Sequence, residues 1–203
     1  MFKSILGAFK LFSSSLQYFR FFRGAVHIYR NDGRWGLMLR SDIKQMEGRL
    51  PIKYGGDAVE IPGARDLLDS IQKDNIPWAI VTSGTTPLVA GWLNVLKLPL
   101  PEHLVVAEDV ENGKPDPSCY LMGKEKLGLK GAAAVLVLED SPAGIKAGKD
   151  AGCKVLGVVT SHTVAQVLAA GPDYIVKDLR SVRIVGKSHE GVELEILDAL
   201  NIQ

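Results

Sequence analysis

The sequence predicts a doubly wound α/β domain built on a parallel β-sheet. The main observation is a regular alternation from about residue 62 onward, in which short Val/Ile/Leu-rich runs are separated by amphipathic helical stretches. Strands that are apolar throughout, rather than every second residue, belong to sheets covered on both faces. With right-handed crossovers, such strands and helices wind into a parallel sheet with helices on each side. A second observation is composition. The chain has 203 residues, 46% hydrophobic and 23% charged, which suits a globular domain large enough to form its own core. No apolar run approaches the roughly 18 residues that span a bilayer. The formal net charge of +1 gives no reason to expect a nucleic-acid partner. Cys119 and Cys153 lack metal-ligand spacing, which points to a reducing compartment without a disulfide framework.

The elements follow in order. Residues 1–40 form an atypical basic segment: all 6 phenylalanines lie in it and no acidic residue precedes Asp32. Phe2, Ile5, Leu6, Phe9, Phe12, Leu16 and Phe19 recur at helical spacing and predict one apolar helix face. Three readings fit this segment: a helix packed on the body of the protein, which is favoured, a targeting presequence, or a membrane-surface helix across residues 1–24. A cytoplasmic location follows from the first and a mitochondrial one from the second. Ala25–Tyr29 is an apolar run with β-branched and aromatic content, and predicts a strand. Ser41 to Arg49 predicts a helix closed by Leu50-Pro51.

Beyond Pro62-Gly63 the pattern becomes regular, with helices at 64–73, 88–96, 118–127, 143–151 and 163–170. Strands are expected at 78–81, 104–107, 133–138, 154–159 and 174–176, and a final helix at 192–200.

In a sheet of this kind, ligands sit at the carboxyl ends of the strands. The run 78–81 leads into Thr82-Ser83-Gly84, hydroxyls and backbone N–H groups that either seat a phosphate or form an ordinary turn and N-cap. The run 104–107 leads to Lys114, fixed between Gly113 and Pro115 where a cation can neutralise phosphate or carboxylate charge. The run 133–138 ends in Glu139-Asp140. Two acids directly after an apolar central strand either hold a hard cation such as Mg²⁺ or cap the helix that follows.

Taken together, WAIVTSGT, AEDVENGKPDP and LEDSPAGIKAGKDAGCKVLGV resemble the haloacid-dehalogenase superfamily of phosphohydrolases. With EGRLPIKYG and VEIPGA, they are most similar to the fungal branch containing glycerol-phosphate and 2-deoxyglucose-6-phosphate phosphatases. The resemblance runs from about residue 42 to the C-terminus. It implies a Rossmann-like core over residues 62–203, with residues 41–61 the remnant of a truncated helical cap. It implies that Thr82 or Ser83 hydrogen-bonds a substrate phosphoryl group and that Gly84 supplies a backbone N–H. Lys114 would balance phosphoryl charge, and Asp140 would coordinate Mg²⁺ with Glu139 alongside. The partner would be a small phosphorylated substrate, met by a monomer.

One feature departs from the family. Its first strand ends in DxDG, whose first Asp is the nucleophile and whose second is the general acid/base. No DxDG occurs here. Laid on the nearest string, Asp32-Gly33 fits the second half of the motif and places Arg30 at the nucleophile position. A chance turn is the better account. In the family that strand stands between the one ending at Thr82 and the one ending at Asp140, and Ala25–Tyr29 is expected to fill the place.

Three functions remain open. One is a Mg²⁺-dependent phosphomonoesterase of a small polyol or sugar phosphate. Another is a non-catalytic relative that keeps the phosphate and metal pocket, in a regulatory role. The third is a mis-assembled reading frame of a true phosphatase. The favoured expectation is a phosphatase by descent, catalytically impaired in this chain.

Overall fold

The structure is a computed structural model that describes residues 4–7, 19–22, 25–29, 35–129 and 134–200. Its centre is a six-stranded parallel sheet in the order β6-β5-β1-β7-β8-β9. These strands are β1 (Ser4–Gly7), β5 (Trp78–Val81), β6 (His103–Val105), β7 (Val135–Glu139), β8 (Lys154–Val158) and β9 (Tyr174–Val176). Successive side chains of a strand point to opposite faces. Ala79, Val81, Val105, Val135, Val137, Val155 and Ile175 therefore form one core. They pack against α4 (Ser118–Lys126), α5 (Pro142–Asp150) and α6 (Val164–Ala169) through Tyr120, Ile145 and Val167. On the opposite face Ile80, Leu136, Leu138, Leu156, Val158 and Val176 meet α2 (Ala64–Lys73) and α3 (Thr86–Val95). Both faces are covered, which is why these strands read as unbroken apolar runs.

The gap between β5 and β7 is filled, but not by the expected segment. Ser4–Gly7 occupies it, with Leu6 opposite both Ala79 and Val137. Ala25–Tyr29 is a strand, β3, in a separate antiparallel sheet with β2 (Phe19–Phe22) and β4 (Trp35–Leu39). Strands close in sequence pair at a smaller loop-closure cost than a long-range parallel ladder requires, and that favours the local pairing of β2, β3 and β4. An uninterrupted amphipathic helix over residues 2–19 is therefore not formed, since Ser4–Gly7 and Phe19 are strand. Residues 8–18 of that expected helix, and the Arg30–Gly33 string, lie outside the described residues.

Two further expectations are corrected. Helix α1 (Arg40–Tyr54) does not stop at Leu50 but continues through Pro51. Proline cannot donate the bond to the carbonyl four residues back. Here its ring is buried against α3 at Gly91, where a Cβ would lie 2.6 Å from Pro51 Cγ. That packing offsets the lost bond. At the other end, Val192–Leu200 is not a helix. Gly191–Ile196 is β11, antiparallel to β10 (Val182–Ser188). Val192, Leu194 and Ile196 face the core while Glu193 and Glu195 alternate with them, a period of two that marks a strand.

Candidate active site

Three loops meet at the carboxyl ends of β5, β6 and β7. The first begins at Thr82, whose N–H donates to the Val105 carbonyl (2.9 Å) and so ties the loop to β6. Thr82 Oγ1 accepts from the Gly84 N–H (3.1 Å). The Gly84 N–H, expected to face a phosphoryl group, is therefore engaged within its own loop. Thr82 is half-buried and keeps its hydroxyl hydrogen for a ligand, whereas Ser83 is exposed.

The loop is clamped where it opens α3. Thr85 donates from its N–H (3.0 Å) and its hydroxyl (2.8 Å) to Glu47 Oε2 on α1. The Thr86 N–H donates to the Glu108 carboxylate (3.1 and 3.2 Å), which Lys44 also approaches at 3.0 Å. Carboxylates at a helix N-terminus satisfy its unpaired N–H groups and oppose its positive dipole end. Burial pushes the Glu108 carboxyl up, but the bonds from Lys44 and Thr86 outweigh it and hold the group below its ordinary value.

Lys114 arrives from the second loop. Its ammonium donates to the Val81 carbonyl (3.2 Å), to Tyr120 Oη (3.0 Å) and to Glu139 Oε1 (2.5 Å). The pair is buried, with 8% of the Lys114 side chain and 2% of the Glu139 side chain exposed. Glu139 is held on its other oxygen as well. Oε2 accepts from the N–H groups of Asp140 and Ser141 and from the Ser141 hydroxyl, each at 3.0 Å. Burial pushes the Glu139 carboxyl up; the Lys114 charge and the donated hydrogen bonds outweigh this and hold it below the ordinary glutamate value. The start of α5 lies directly on this carboxylate, because a Cβ at Gly144 would come within 1.8 Å of Glu139 Oε1. Ser141 caps α5 by accepting from the Gly144 N–H (3.1 Å).

Asp140 is 5% exposed and turns toward the loop after β8. Its Oδ2 accepts from the hydroxyls of Thr160 (3.2 Å) and Ser161 (2.5 Å), and Ser161 Oγ also lies 2.9 Å from His162 Nδ1. The described residues do not make a complete Mg²⁺ shell. Mg²⁺ needs octahedral oxygen ligands. Here both Glu139 oxygens are engaged by protein donors, and no group of three or more His, Cys, Asp or Glu side chains converges among the described residues. Asp140, the other carboxylate of the expected pair, is likewise engaged, through the Thr160 and Ser161 hydroxyls.

The structure thus brings Thr82, Lys114 and Glu139 together, with Asp140 beside them. Tyr120, Glu47, Glu108, Thr160 and Ser161 were not anticipated as part of this neighbourhood. Tyr120 reads from sequence as an apolar helix residue, and Glu47 lies 38 positions from the threonine it holds. For Thr160 and Ser161 a signal existed, since hydroxyls follow the apolar run ending at Val159 just as Thr82 follows its own strand.

Comparison with known proteins identifies the family and the fold. The family model for haloacid dehalogenase-like hydrolases matches residues 44–158. Glycerol-1-phosphate phosphohydrolase 1 of Saccharomyces cerevisiae is 38% identical over 164 residues, covering 76% of this chain and 65% of the relative. The 2-deoxyglucose-6-phosphate phosphatase 2 of the same yeast is 35% identical over 156 residues, covering 69% and 63%. The chain therefore spans less than two thirds of the length of either relative. A hydrolase from Pseudomonas syringae superposes with a TM-score of 0.60 at 26% identity, covering 66% of this chain and 62% of that one. CbbY from Rhodobacter sphaeroides shares the fold, with a TM-score of 0.65 at 22% identity over 74% of this chain and 68% of its own. On the match over residues 44–158 and the parallel sheet that carries it, the chain belongs to the haloacid dehalogenase-like hydrolases.

Proposed function

We propose that this chain recognises a small phosphorylated polyol or sugar at the ends of β5 and β7, as a phosphomonoesterase by descent whose own turnover is impaired. The observation that carries the reading is the contrast between a built ion pair and its neighbouring strand. Lys114 and Glu139 are buried together, while β1 runs from Ser4 to Gly7 and is followed in sequence by Ala8, Phe9 and Lys10, with no acid before Asp32. A phosphoryl group in this neighbourhood meets the Thr82 hydroxyl and the positive charge of Lys114, and β1 offers no carboxylate to attack it. The substrate class is supported by the names of the relatives, which include a hexitol phosphatase of Escherichia coli, 48% identical over 98 residues. In this reading α1 is the last part of a cap, and the protein acts as a monomer in the cytoplasm. Mg²⁺ at this site would take Asp140 as a ligand in exchange for its contacts with the Thr160 and Ser161 hydroxyls, with water filling most of its shell. A second reading, a phosphate-binding regulatory protein without catalysis, is favoured by the same ion pair standing beside a strand with no nucleophile.

Titration of the full chain with inorganic phosphate, followed by amide NMR, tests the shared part of both readings. Shifts are expected at Thr82, Ser83 and Lys114 at millimolar phosphate. Thr82→Val is expected to weaken binding about ten-fold, the effect of one hydrogen bond to a charged group. No shift in the intact chain, or shifts confined to another face, would remove the reading.

A further inference from the structure

An ammonium group has three N–H donors and no acceptor. Lys114 directs all three at the protein, to the Val81 carbonyl, Tyr120 Oη and Glu139 Oε1. Tyr120 is the partner to which neither the sequence motifs nor the phosphoryl reading gives a role. It is completely buried, at 0% exposure. Its ring lies 4.7 Å from Lys114 Nζ, and its hydroxyl donates to Glu139 Oε1 at 2.9 Å. The roles in this triangle are fixed by chemistry: lysine only donates, an ionised carboxylate only accepts, so the phenol must accept from one and donate to the other. A hydroxyl that had to do neither would be an expensive group to bury.

We infer that Tyr120 is the positioning residue for Lys114, its hydroxyl and ring holding Nζ at the ends of β5 and β7. This rests on the phosphoryl site proposed above. Lys114 then acts on a bound phosphoryl group as a fixed positive charge. It donates directly to a phosphoryl oxygen only by releasing the Val81 carbonyl, its longest contact at 3.2 Å. Burial and the nearby Glu139 charge push the phenol well above its ordinary value, so it stays protonated and in this role.

The test uses the full chain labelled with ¹⁵N and observed for lysine ammonium groups. Ammonium protons that are hydrogen-bonded and shielded from water exchange slowly and give a signal; those of exposed lysines do not. One protected ammonium is expected, with a nuclear Overhauser contact to the Tyr120 hydroxyl proton. In Tyr120→Phe it should vanish while the amide spectrum stays native, and phosphate binding should weaken about three- to ten-fold. A tyrosine serving only to fill the core would leave the ammonium signal in place after that substitution. Absence of a protected ammonium in the intact chain, or its survival in Tyr120→Phe, would overturn the inference. Loss of the signal with unchanged phosphate affinity would overturn it too, since positioning would then be without effect. Should Tyr120→Phe not fold, the Overhauser contact in the intact chain decides. An intact chain that binds no phosphate but shows that contact removes the phosphoryl reading and leaves Tyr120 as the residue that orients Lys114.

Discussion

The purified 203-residue chain is expected to show no measurable hydrolysis of glycerol 1-phosphate or 2-deoxyglucose 6-phosphate, with or without added Mg²⁺. The two-step route of the family needs a carboxylate on the central strand to take the phosphoryl group and release it to water. The central strand here is Ser4–Gly7, between β5 and β7, and carries none. Among the described residues, four acids near the strand ends are otherwise engaged. Glu139 is bonded on both oxygens, Asp140 accepts from Thr160 and Ser161, and Glu47 and Glu108 hold the start of α3. Electrostatic placement alone leaves a small residual rate. Loss of a nucleophile in a well-studied protease costs on the order of 10⁶ in kcat, and an effect of that size is expected here. A chimera in which residues 1–40 are replaced by a family-type segment with DxDG and a complete cap should regain turnover, and Asp140→Ala in the chimera should remove it again. Robust hydrolysis by the unmodified chain, lost on Asp140→Ala, would show that the nucleophile lies elsewhere.

The core was legible where apolar blocks are fenced by strong punctuation. Trp78–Val81 lies between Pro77 and Thr82, and α2 starts after Pro62-Gly63; both match the expected bounds. Legibility failed where a residue's local preference was outvoted by a neighbour distant in sequence. Pro51 signals a helix end, yet Gly91 on α3 gives its ring a place to pack. Ala25–Tyr29 is the better strand by composition, yet Ser4–Gly7 takes the central position while β3 pairs with β2 and β4. At 192–196 the two-residue period is present in the sequence, but the spacing of Val, Leu and Ile also admits the helix expected there. The site divides in the same way. Thr82, Lys114, Glu139 and Asp140 were visible because each follows an apolar strand or sits in a stiff loop near one. Which of them neutralises which was not, because the Lys114–Glu139 contact spans 25 positions and depends on Tyr120 and Gly144.

The largest stability effect is expected from Lys114→Met, about 3–5 kcal/mol at neutral pH, the usual result of removing one partner of a buried ion pair. The substitution leaves the Glu139 carboxylate 2% exposed and without its cation. The remaining donors, Tyr120 Oη, the N–H groups of Asp140 and Ser141 and the Ser141 hydroxyl, stabilise the charge in part. Their presence places the expectation within that range and not above it. Lys114→Met combined with Glu139→Gln removes the stranded charge and should recover most of the loss, as seen in urea unfolding midpoints.

The pH dependence separates charge from packing. In the unmodified chain the Glu139 carboxyl is held below its ordinary value, so its contribution is complete above the unfolded value, about 4.3. It is lost as pH falls through the lower folded value. Without Lys114, burial is opposed by fewer groups and the folded value rises, so protonating Glu139 relieves the variant. The stability difference between the two proteins should therefore begin to shrink above about 4.3, as pH falls through the variant's raised folded value, and shrink further below it as the unmodified chain loses its own contribution. A single substitution costing less than about 1 kcal/mol, as for an exposed pair, or a double variant no more stable than the single, would mean that Lys114 and Glu139 do not share their charge as the structure places them.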